Sequence, residues 1–285
     1  MDSFILPADM ISIRRNADMI KIFNMMKMSE NLLCDYEVAR KLANSSKARN
    51  RSKVIDWIKK TLGTDFCDER DTSIQIFDKV LLISFMEEEN KLDDNYFMYH
   101  IAAASIIISC KLHDIRSDIS PSMFVAQFST DELVNYEREI LATTRCTISP
   151  LCTPSSFARH ILHLHPVGYD TNALLHSVDA LIAEFWEEPD SVLFAPSTIA
   201  ISALLISFSM LQIYCTTWLD SIPDFCLPNA INPVFHVGTL KVNYLDLDKC
   251  ITTFEQIPSL KEQQDSLSPT SVSEAYYLEN EVGKL

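Results

Sequence analysis

Glycine is nearly absent: the 285 residues hold only 4, and Gly63, Gly168, Gly238 and Gly283 each stand alone. No glycine-rich loop is available to cradle a phosphate, which excludes nucleotide binding of the usual backbone kind. Turns that need glycine are equally scarce, and this favours helices over a turn-rich sheet protein. Positive charge is also short, with 24 Lys and Arg against 39 Asp and Glu, a formal net charge of −15. Nonspecific nucleic-acid binding needs clustered cations, so this balance argues against direct nucleic-acid contact. The one basic cluster, "KARNRSK" from Lys47 to Lys53, is short and sits at the start of a helix.

Paired metal or redox cysteines are missing too. The eight cysteines are scattered, with no C-x-x-C spacing, and several lie within apolar runs, where a free thiol acts as a small hydrophobe. The N-terminus, "MDSFILPADM", lacks the basic start and long apolar run of a signal peptide, so a reducing compartment is expected. Ile199 to Cys215 carries no charge, but it is slightly short, holds Ser202, Ser207, Ser209 and Gln212, and lacks basic flanks. It reads as a buried core helix, with no membrane span. His160, His163 and His165 do not share one helix face, so no metal site is expected. No Ser-His-Asp or Cys-His order comes with a nucleophile context, and no enzymatic activity is expected.

What the chain does have is helical spacing of apolar residues, at a hydrophobic fraction of 47%. The pattern predicts helices over Met19 to Leu42, Arg51 to Leu62, Asp71 to Phe85 and Tyr96 to Leu112. The acidic stretch "MEEENKLDDN" forms a loop before the last of these. Ser120-Pro121 opens a short helix through Phe128, and Ser129 with Glu132 forms a capping-box pattern for Thr130 to Thr143. After Pro150 the pattern restarts with Thr153-Pro154 to His163, Thr171 to Phe185, Pro196 to Cys215, Asp220 to Phe225 and Leu245 to Ile257. The tail from Ser259 has little periodicity and reads as mobile, with Ser268-Pro269 as a candidate phosphorylation site.

The two halves align at nearly constant offsets. Val54 and Trp57 match Phe157 and His160, Thr72 to Leu82 matches Thr171 to Leu181, and Ala102 to Ser109 matches Ala200 to Ser207, at 103, 99 and 98 residues. The chain is therefore expected to be all-α, two copies of one five-helix unit, each wrapped around an apolar third helix.

One polar pair stands out. In Thr130 to Thr143 the apolar stripe is Leu133, Ile140 and Leu141, and Glu137 falls within it by helical spacing. A carboxylate there needs a donor. Lys111 ends the apolar helix, where a cation also suits the negative end of the helix dipole.

These residues carry a family resemblance. "AAASIIISCKLHD" with "PSMFVAQFSTDELVNYEREILATTRCTISPLCTPSSF" resembles the cyclin box: a buried alanine-rich helix ending in lysine, a loop, then a Glu-x-x-Leu/Ile-Leu helix. "RNRSKVIDWIKK" resembles the helix that opens the first box. "TSIQIFDKVLLIS" resembles the second helix, with Asp78-Lys79 in place of the usual Asp-Arg. The resemblance covers about residues 25 to 257 and implies an arm (1–24), an N-terminal box (25–148), a C-terminal box (149–257) and a disordered tail (258–285).

It implies a non-catalytic regulatory subunit that pairs with a cyclin-dependent Ser/Thr kinase, with no cofactor and no metal. The kinase-binding residues would be Lys111, Leu112, Glu137, Cys146 and Ile148. Lys111 would donate to carbonyls, and Glu137 accept from N–H groups, of the kinase's mobile helix. Substrate docking in many members uses positions matched here by Arg51, Val54 and Trp57. Asn50 and Lys53 replace apolar residues beside them, which argues against peptide docking of that kind. Cys146 stands where phenylalanine is usual. "LLCDYE" (Leu32 to Glu37) resembles the pocket-protein motif of D-type cyclins with the glutamate one residue late, so pocket-protein binding is not assumed.

No Arg-x-x-Leu destruction box lies near the N-terminus. The short arm and "ARKLANSSKARNRSKVIDWI" resemble D-type, G1-like cyclins, implying cell-cycle control at G1/S in nucleus and cytoplasm. A cyclin-fold binding module with another partner, or a cyclin of the transcriptional or phosphate-signalling kinases, stays open as the alternative. The transcription-factor IIB type carries a basic surface, which the net charge of −15 opposes.

Overall fold

The computed structural model describes residues 36–114, 125–146, 148, 152–164, 170–211, 213 and 244–260. In order they form α1 (Tyr36–Ala43), α2 (Lys47–Leu62), α3 (Cys67–Glu87), α4 (Asn95–Leu112), α5 (Thr130–Thr143), α6 (Pro154–Leu164), α7 (Thr171–Phe185), α8 (Pro196–Met210) and α9 (Tyr244–Phe254). No strand occurs among the described residues, and the all-α expectation holds.

Two apolar helices organise the packing. The side chain of Asp94 caps α4 by accepting the Tyr96 N–H at 2.9 Å. From Phe97 to Cys110 almost every residue of α4 is buried, and Ala102, Ala103 and Ala104 are fully enclosed. Those three small side chains let α2, α3 and α5 close around α4 on all sides. In the second half, Pro196 starts α8 without wasting a helical N–H, and α8 is buried from Pro196 to Phe208. Helices α6, α7 and α9 surround it. Each enclosed Leu or Ile contributes about 1.5–3 kcal/mol. The buried serines of α4 are satisfied: Ser105 donates within the helix to the Ile101 carbonyl at 2.8 Å, and Ser109 to that of Glu69 on α3 at 2.7 Å. No helix among the described residues is long and apolar enough to cross a membrane.

Helices α2 and α3 each start four residues earlier than the pattern indicated, at Lys47 and Cys67, and the structure departs from the sequence reading in further places. A 3₁₀ turn precedes each central helix, Glu89–Asp93 before α4 and Pro189–Leu193 before α8, so the repeat extends into segments without apolar period. Helix α8 stops at Met210, short of Cys215, with the Ile213 N–H turned back to the Phe208 carbonyl at 2.8 Å. Ser129 makes no side-chain cap on α5, and Glu132, the other half of the expected capping box, accepts a hydrogen bond from the Tyr96 hydroxyl of α4. Residues 258–260 are helical and Leu260 is buried, so packing runs past the expected boundary at 257. The predicted helices over 19–35, 120–124 and 220–225, and the tail from 261, lie outside the described residues.

A polar seam joins the halves. Arg51 of α2 is fully buried and grips Asp78 of α3 with two parallel hydrogen bonds of 2.7 Å. The same guanidinium reaches the second half, donating to the carbonyls of Trp186 (3.3 Å) and Glu188 (3.2 Å) and to the Ser191 hydroxyl (3.0 Å). Alongside, Asp71 of α3 accepts from Arg70 at 3.0 Å, Ser155 of α6 at 2.7 Å and the Trp186 indole at 3.0 Å. Asp68 accepts from Ser156 at 3.2 Å and pairs with Arg159. Every charge in this list has an opposite charge beside it, as burial demands.

Candidate functional site

Helices α4 and α5 pack directly against each other. Leu133 and Ile140 of α5 are buried, which fixes the rotation of the helix and carries Glu137 to the rim facing the end of α4. There the Lys111 ammonium donates to both Glu137 carboxylate oxygens, at 2.7 and 2.8 Å. The lysine side chain is 59% exposed and the carboxylate side chain 15%. The donor that Glu137 requires is therefore Lys111, and the pair is open to solvent on the lysine side.

The ground around the pair is apolar. Leu112 adjoins Lys111, and Val134 and Leu141 stand one turn either side of Glu137 on α5; all three are exposed. Leu141 thus lies outside the buried stripe to which its spacing assigned it. Just beyond α5 the chain reverses. The Cys146 N–H returns to the Leu141 carbonyl at 2.9 Å and that of Arg145 to Ala142 at 3.1 Å, a Schellman closure. It holds Arg145 at φ +51° and Cys146 at φ +55°, both left-handed, and leaves Cys146 exposed beside Leu141. The structure therefore brings Lys111 and Glu137 into contact, with Leu112 beside Lys111 in the chain and Cys146 bonded back to Leu141, one turn from Glu137, while Ile148 is half-buried against the core.

The second predicted set does not assemble. Arg51 and Val54 are buried, and only Trp57 is partly open, set edge-on to Tyr99 (5.5 Å) and Phe128 (5.9 Å). Arg51 spends its donors on the seam and presents none to solvent. The spacing carried a signal for this: Arg51 falls in register with Ile55, Ile58 and Leu62, the buried stripe of α2.

Other candidate chemistry is accounted for. Burial pushes the Cys110 thiol up to about 12, and burial with the nearby Asp179 pushes Cys67 up to about 11, so neither is a ready nucleophile. The His160 ring is hydrogen-bonded to the Ser156 carbonyl at 2.7 Å, His163 is exposed, and His165 lies outside the described residues. Among the described residues no group of three or more His, Cys, Asp or Glu could hold a metal ion.

The arrangement of helices matches a known architecture. The X-ray structure of a viral cyclin from herpesvirus saimiri superposes with a TM-score of 0.59, covering 84% of this chain and 99% of its own, at 16% identity. The chain has the cyclin fold. No family model matches its sequence, and no curated protein does either. Within the cyclin fold, Lys111 stands at the end of the central helix of the first repeat and Glu137 on the helix packed beside it. At 16% identity the likeness speaks for the fold, and function has to be argued from the rim itself.

Proposed function

We propose that this chain is the regulatory subunit of a cyclin-dependent Ser/Thr protein kinase, and that the rim of Lys111, Leu112, Glu137, Leu141, Cys146 and Ile148 is its kinase contact. The observation that carries the reading is a solvent-open ion pair set among exposed leucines. Such a surface offers one donor and one acceptor on an apolar ground, which suits the backbone of a docked helix and its apolar side chains. Lys111 would give its protons to kinase carbonyls, and Glu137 would accept from kinase N–H groups. Neither charge is then buried without a partner, the arrangement that avoids the cost of desolvation.

The effect on the kinase is a shift of population. A kinase is active when its mobile helix places a glutamate against the ATP-site lysine. A partner that binds only that arrangement stabilises it in proportion to its differential affinity. Moving the balance from 1:99 to 99:1 requires about 5.5 kcal/mol of such preference, within reach of an interface of ordinary size. The cyclin-fold chain supplies surface and no reacting group. Control of the cell cycle at G1/S, D-type character, and residence in nucleus and cytoplasm go with this reading.

The test is binding and activation of purified cyclin-dependent kinases by the wild type, Lys111→Ala and Glu137→Ala. Both variants are expected to keep the wild-type circular dichroism and to lose activation by tenfold or more, the loss of about 1.4 kcal/mol or more of contact. If the folded wild type binds none of a kinase panel, the chain is a cyclin-fold module for another partner and the proposal fails.

A further inference from the structure

The charge of this protein is unevenly placed. Residues 38–62, which span most of α1 and all of α2, hold eight Lys and Arg against one acid, Asp56. That local balance of +7 sits in a chain of net charge −15, leaving −22 for the remainder. Four of the eight cations are used internally: Lys47 pairs with Asp93, Arg51 with Asp78, Lys59 with Glu187 and Lys60 with Asp56. The other four, Arg40, Lys41, Arg49 and Lys53, are exposed, and none makes a side-chain ion pair or hydrogen bond among the described residues.

Arg40 and Lys41 lie in the last turn of α1, where the helix dipole favours cations, but on α2 folding opposes the placement. The first turn of α2 holds Lys47 and Arg49 and no acid, so cations crowd the positive end of the helix dipole. Arg49 and Lys53 are one turn apart on the same exposed stripe, a like-charge pair that weakens a helix. Both defects would be relieved by an anion lying across the face.

We infer that the exposed face of α1 and α2, through Arg40, Lys41, Arg49 and Lys53, docks an acidic peptide segment of a protein partner. A short peptide places its few carboxylates on four cations and keeps clear of the rest of the molecule. A nucleic acid or an anionic membrane engages more of the molecule, and the remainder of the chain, at a net −22, opposes it. The four cations share no residue and no bond with the Lys111–Glu137 pair, so this inference does not depend on kinase binding.

The experiment is fluorescence anisotropy of a short labelled peptide of alternating glutamate and serine, titrated with the full chain at low and physiological salt. Two paired variants, Arg49→Glu with Lys53→Glu and Arg49→Gln with Lys53→Gln, change only exposed side chains, and circular dichroism checks their fold. Binding is expected to weaken with salt, to fall by about tenfold or more in the charge-reversed variant and by less in the neutral one. Lys111→Ala should leave it unchanged. No binding, equal binding by all variants, or tighter binding to a single-stranded oligonucleotide or to phosphatidylserine vesicles would each overturn the inference.

Discussion

Replacing Arg51 by alanine removes five hydrogen bonds from a fully buried position, two of them charge-assisted at 2.7 Å to Asp78. What remains is a carboxylate buried to 6% exposure without its cation, while the Trp186 and Glu188 carbonyls keep only their bonds from Ser191. Breaking one side of a buried ion pair costs about 3–5 kcal/mol, a large share of the 5–15 that holds a domain together. Arg51→Lys keeps the charge but cannot form the fork, so it should lose about 1–3 kcal/mol. The paired change Arg51→Met with Asp78→Leu leaves no orphaned charge and should cost less than the two single changes combined. Urea unfolding followed by tryptophan fluorescence is the assay, because the Trp186 indole sits in the same seam and reports its opening. A loss below about 1 kcal/mol for Arg51→Ala would refute the reasoning, since the guanidinium would then be replaceable by water.

Three further changes have a defined sign. Burial raises the Asp179 carboxyl above its usual range, so its charged form is disfavoured in the fold. That penalty is in force above the raised pKa and fades as pH falls through it. Asp179→Asn should therefore raise the melting temperature at pH 7, with the gain shrinking on acidification; a gain that does not change with pH would contradict this. The Ser202 hydroxyl is buried without a partner, so Ser202→Ala should stabilise by about 1 kcal/mol in urea unfolding, and a loss would show that the hydroxyl is satisfied. Arg145 is held at φ +51°, where glycine is unstrained, so Arg145→Gly should gain up to about 1 kcal/mol, read from the shift of the urea midpoint, and a lower midpoint would count against the strain argument.

Much of the architecture was legible from spacing because each repeat buries one helix all round, and such helices declare themselves by the absence of any polar face. Helices α5 and α7 begin and end at the residues the pattern indicated. The Lys111–Glu137 pair was also legible, since a carboxylate inside an apolar stripe has few explanations. The same argument applied to α2 would have exposed Arg51 as a buried group, yet its cation read as surface. The 3₁₀ turns escaped because so short a segment carries no period. The capping box did not form, and Glu132 has a partner that no local pattern contains: Tyr96, a residue on another helix. The exposure of Leu141 likewise follows from how α5 is rotated against α4, which is a tertiary fact.

The reach of Arg51 across the chain sets an order of events during synthesis. Its acceptors Trp186, Glu188 and Ser191 lie 135 to 140 residues downstream. At the usual pace of translation that interval lasts on the order of ten seconds. The first repeat ends near residue 148, so for roughly the last third of that time it is a finished unit with part of its guanidinium unanswered, held by Asp78 alone. The duplicated unit has thus become a half that waits for its sibling, and a chain cut between the repeats would meet the cell with a vacant socket where the second should lock.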